Sequence, residues 1–143
     1  MGLDNSIYLH TRKQINVDKL PEYVKITNAD YVDHKPGDFV YELCYFRKSW
    51  SFRDAMLKIV RQYHTVDIEG GNYELPANKK MIEDLQDILY HFLKHPYDWN
   101  HRSQIFTIEE VKNSIAQYIL NLSWARTYIE EHDGCWLSFS DSF

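Results

Sequence analysis

Little in this chain of 143 residues could staple it, subdivide it or carry it into a bilayer. Two cysteines, Cys44 and Cys135, are too few for a disulfide-dense secreted scaffold. There is no C-x-x-C, so zinc is not indicated either. Both cysteines lie in apolar, strand-like stretches and read as reduced thiols of a cytosolic protein. Four prolines and five glycines leave no low-complexity linker, and no internal repeat is visible, so residues 1–143 read as a single domain. The glycines form neither a G-x-G-x-x-G nor a P-loop pattern, which excludes the commonest nucleotide-binding loops. No run approaches the ~18 consecutive apolar residues of a membrane span, and the start carries no secretory signal pattern. Positive charge is scarce, with 16 Lys and Arg against 21 Asp and Glu, so duplex DNA is not the expected partner. No nucleophile elbow, catalytic Cys–His pattern or kinase-type set of motifs occurs, and the chain reads as non-enzymatic.

Aromatic residues, in contrast, are abundant: 11 Tyr, 7 Phe and 4 Trp. That much bulky surface excludes disorder, and a chain this long buries roughly two thirds of its unfolded surface without staples. Residues 3–10 and 38–45 are rich in β-branched and aromatic side chains and read as strands, with a further strand around Tyr23–Ile26. "NYELP" at 72–76 reads as a short edge strand after Gly70-Gly71. Apolar spacing of three and four predicts helices over 49–63, over 78–94 and from Thr107 to near Gly134. Asn78 is placed to cap the second, while Thr107 and Glu110 form a capping-box signature for the third. The third helix carries a main apolar stripe through Val111, Ile115, Ile119 and Leu122, and a second set at Ala116, Leu120, Trp124 and Tyr128. Such a helix is sandwiched between two surfaces, the second being a neighbouring helix or another subunit. "CWLSF" after Gly134 reads as a returning strand. The fold class expected is α+β: a small antiparallel β-sheet covered on one face by three α-helices.

Two segments carry a family resemblance. Met1-Gly2-Leu3-Asp4 and the passage "YELCYFRKSW" resemble small uncharacterised proteins of tailed bacteriophages, which open with Met-Gly-Leu-Asp and carry Glu-x-x-Tyr-Trp-Arg-Lys ahead of a helix. Glu42, Tyr45, Arg47 and Lys48 match, with Phe46 in place of Trp. Where that helix often carries a His, this chain has Phe52 and Arg53. "YELPANKK" and the closing "FSDSF" are similar in style. The resemblance implies a phage accessory protein acting in the cytoplasm of the infected bacterial host, and brings no established activity with it.

Charge is unevenly spread. Residues 44–63 hold Arg47, Lys48, Arg53, Lys58 and Arg61 against Asp54 alone, +4 in all, which leaves −9 on the rest of a chain whose total is −5. A positive segment on a negative body attracts anions. A helix starting near Ser49 would aim backbone N–H groups at the loop carrying Arg47 and Lys48, an arrangement suited to phosphate. Tyr45 and Trp50 could stack on a base. Arg126 falls beside the buried stripe of the third helix and needs a partner, with Asp4, Glu42 or Asp141 as structural candidates and a ligand anion as the functional one. Ligand-binding candidates are therefore Tyr45, Arg47, Lys48, Ser49, Trp50, Arg53 and Arg126. His91 and His95 stand four apart with His101 nearby, yet no Glu follows His91 and both lie off the apolar stripe, so no metal site is expected. Asp30, Asp33, His34 and Asp38 lack the Gly and Glu of a calcium loop. The expected function is binding of a small anionic, nucleotide-like ligand, sequestering a host defence signal, with no cofactor, metal or membrane partner. The alternative is an interaction module that inhibits a host protein, or self-associates, through Leu120, Trp124 and Tyr128.

Overall fold

The computed structural model describes residues 4–27, 38–63, 67–69, 71–99 and 107–142. The Met-Gly-Leu opening, Asp30, Asp33, His34, Gly70, His101 and the final Phe143 lie outside them. The first segment, buried along most of its length, forms β1 (Asp4–Thr11) in the interior of a six-stranded sheet. Its neighbours are β3 (Phe39–Arg47) and β6 (Trp136–Ser142), both antiparallel to it. Outside them lie β2 (Lys25–Ile26) on one side, and β5 (Asn72–Leu75) then β4 (Asp67–Glu69) on the other. The "NYELP" strand is thus not an edge: β4, a three-residue strand too short to show a period, takes that position and leaves β5 paired on both sides.

Register explains which face is covered. Ile7 sits opposite Phe139 and Leu9 opposite Leu137, and these join Tyr41, Leu43, Phe46 and Leu75 in one buried cluster with the helices. A bulge between Ile7 and Tyr8 keeps both Leu43 and Cys44 in that cluster. Three helices lie over it: α1 (Trp50–Tyr63), α2 (Lys79–Lys94) and α3 (Ile108–Glu131). The α+β architecture expected from the sequence is the one found. The remaining sheet face is polar and aromatic, with His10 stacked on Trp136 at 3.6 Å and bonded to Ser138 Oγ at 2.7 Å.

Helix ends follow local chemistry. Asn78 accepts the Met81 N–H at 2.8 Å, and Thr107 Oγ1 accepts the Glu110 N–H at 3.1 Å. At its other end α3 closes just short of Gly134. The helix stops at His132 in extended backbone, and Gly134, at φ 80°, makes the turn into β6. Within the second apolar set of α3, Trp124 and Tyr128 pack against the core and wall a groove with Lys13–Asn16 of the β1–β2 connection, while Leu120 faces outward. The two cysteines are free thiols, Cys44 buried and Cys135 half-buried. Burial, then the nearby Glu42, pushes the Cys44 thiol up, which keeps it protonated and inert.

Candidate functional site

The polar passage from β3 to α1 has to turn sharply, and Lys48 does so in the left-handed region at φ 59°. A non-glycine residue there costs about 1 kcal/mol. The turn buries Ser49, which sequence reasoning offered to a ligand anion. Its hydroxyl instead donates to the Trp99 carbonyl at 2.7 Å and accepts the Phe52 N–H at 3.3 Å, so it is the cap of α1 and faces inward. Ser49→Ala removes a cap and leaves a buried carbonyl unpaired. We expect a loss of about 2 kcal/mol in urea unfolding, without a change in ligand affinity.

The basic cluster is divided by this turn. Arg53 points to β6, where its Nε donates to Asp141 at 2.8 and 3.1 Å, and its guanidinium lies 5.6 Å from the Trp50 ring. That hydrogen bond raises the Arg53 pKa further. Arg53 is therefore an internal tie between α1 and β6, with Trp50 packed on it. Arg126 pairs with none of its expected partners. It reaches Glu83 of α2 at 3.5 Å and stays 35% exposed, about 12 Å along α3 from Tyr118. Arg47 and Arg126 do not share a pocket.

Arg47 does line a cleft. The end of β3 passes the first turns of α3 and the 3₁₀ turn Pro96–Trp99, leaving a cavity of about 220 Å³. Tyr45, Phe46, Arg47, Trp99, Glu110, Val111, Ser114 and Tyr118 form its walls. The aromatic wall is fixed from behind. Phe46 stacks on Phe52 at 3.8 Å, with Trp99 and Tyr118 each 5.0 Å away. Tyr118 donates its hydroxyl to the Tyr45 carbonyl at 2.7 Å, and Tyr45 donates to Asp4 at 2.9 Å. Burial, above all, holds the Tyr118 phenol far above its ordinary value, so it stays a donor. Neither Arg47 nor Glu110 has an ion-pair partner among the described residues.

Of the seven ligand-binding candidates, Tyr45 and Arg47 line this cleft, Ser49 and Arg53 serve the fold, and Lys48, Trp50 and Arg126 are outside its walls. Sequence reading missed Trp99, Glu110 and Tyr118 as wall residues. Pro96 stops α2, as a proline after a helix does, but nothing local showed that the chain beyond it returns Trp99 to the end of β3. Tyr118 stands at helical spacing from Val111, Ile115 and Leu122, which signals only core, and Glu110 signalled only half of a cap. Among the interface candidates, Leu120 stands 67% exposed while Trp124 and Tyr128 are half-buried. Among the described residues no group of three metal-ligating side chains occurs, and no helix is long and apolar enough to cross a membrane.

No family model matches the chain, and no curated protein or solved structure matches it. Fold and cleft together define an α+β domain with a small aromatic recess whose walls include an arginine and a glutamate, neither ion-paired among the described residues.

Proposed function

We propose that this chain is a non-enzymatic, phage-type accessory protein that binds an anionic, nucleotide-like ligand in the β3–α3 cleft and so sequesters a signal of host defence. One observation carries the ligand class: Arg47, without a carboxylate partner among the described residues, stands on the same small recess as Tyr45, Trp99 and Tyr118. Aromatic faces stack on bases in a sequence-tolerant way, and a guanidinium grips phosphate through paired N–H groups. The phage setting rests on the resemblance carried by Glu42, Tyr45, Arg47 and Lys48.

Thermal melting with a panel of linear and cyclic nucleotides tests this. A ligand at 100-fold its dissociation constant adds about 2.7 kcal/mol, a rise in Tm of roughly 5–10 °C. Arg47→Ala is expected to remove most of that rise while melting normally by itself, since the side chain is exposed. Leu120 favours the second reading, an interaction module for a host protein, because a leucine this exposed lies beside Trp124 on one helix. No nucleotide shift, together with a defined host protein that co-purifies with wild type but not with Leu120→Asp, would favour that reading over the first.

A further inference from the structure

The cleft holds two charges of opposite sign that do not neutralise each other. Glu110 is one of two acidic residues in the first turn of α3, the end of a helix that suits negative side chains. Its backbone N–H is capped by Thr107, but the carboxylate does not return to the Thr107 N–H as a closed capping box would require. It is a wall of the cleft instead, alongside Arg47, and neither has an ion-pair partner among the described residues. A ligand that satisfies both must be anionic at one end and rich in N–H donors at the other, with a flat apolar body against Tyr45 and Tyr118. The cavity, about 220 Å³, lies below the ~300–1,000 Å³ of pockets for drug-sized molecules, so it seats one ring system and leaves phosphate at the mouth.

Resting on the nucleotide reading of this cleft, we infer that it selects a guanine base. An ionised carboxylate only accepts hydrogen bonds. Guanine offers it two adjacent donors, N1–H and the N2 amino group. Adenine offers one amino donor beside a bare ring nitrogen, whose lone pair opposes the second carboxylate oxygen. Glu110 therefore reads the base while Arg47 holds the phosphate.

Calorimetric titration with GMP, AMP and IMP, which share one phosphate, tests the assignment on wild type, Glu110→Gln and the control Glu109→Gln. Wild type is expected to bind GMP at least tenfold more tightly than AMP, with IMP between them because it lacks the amino group. Glu110→Gln should weaken GMP about tenfold without weakening AMP, because the amide can accept from the adenine amino group and donate to its ring nitrogen, whereas Glu109→Gln should match wild type. Equal affinity for GMP and AMP, or a guanine preference that survives Glu110→Gln, overturns the inference and leaves nucleotide binding standing. Failure of all three nucleotides to bind overturns both.

Discussion

Phe46→Ala should cost the domain about 4 kcal/mol, read as a lower urea midpoint at an unchanged slope. Phe46 is fully buried where β3, α1, α3 and the Pro96–Trp99 turn converge, stacked on Phe52 and flanked by Trp99 and Tyr118. Truncation forfeits the transfer free energy of the ring and opens a cavity that four rigid elements cannot close. Domains of this size are stable by only about 5–15 kcal/mol, so the variant should sit close to unfolding at 37 °C. Phe46→Leu retains most of the volume and should cost less than half as much. If Phe46→Ala loses under 1 kcal/mol, the aromatic cluster does not hold the cleft wall in place.

The second large effect concerns the tie between α1 and the last strand. Asp141 is 4% exposed and Arg53 18%, and besides Arg53 the carboxylate accepts only the Asn5 amide at 2.9 Å among the described residues. Arg53→Met keeps much of the aliphatic packing but strands a buried negative charge, so we expect a loss of about 3 kcal/mol. Adding Asp141→Leu to that variant removes the stranded charge and should recover most of the loss, because breaking a buried pair costs more than replacing it by apolar groups. A double variant no better than the single would mean that Arg53 acts through packing rather than charge. Neither substitution should alter nucleotide affinity, which separates Arg53 from Arg47.

How far the sequence reached depends on whether the signal was local. The three helices were legible because each carries several turns of apolar spacing, and Asn78 and Thr107 cap as their side-chain chemistry dictates. Strands β1, β3 and β6 were legible as short runs rich in aromatic and β-branched residues, whereas β4 spans only three residues. Arg53 looked like an anion-binding side chain because its partner Asp141 is 88 residues away. Ser49 looked like a phosphate hydroxyl for a related reason: its acceptor, the Trp99 carbonyl, reaches it only through tertiary folding. The candidate site was half visible. Tyr45 and Arg47 belong to one strand end, but Trp99, Glu110 and Tyr118 come from elements brought there by the packing of α2 and α3. Arg126 failed for a finer reason. A residue at the rim of the buried stripe needs a rotation of only a fraction of a turn to face Glu83 of α2.

The most direct measurement is calorimetric titration of a nucleoside monophosphate into wild type and Arg47→Ala at about 50 and 200 mM salt, with GMP and AMP in separate runs. Wild type should give one saturable site that weakens at the higher salt, as screening of a phosphate–guanidinium contact requires. Arg47→Ala should bind at least tenfold more weakly and lose that salt dependence. Superimposable isotherms for the two proteins, or no heat from either, would contradict a nucleotide held in this cleft by Arg47.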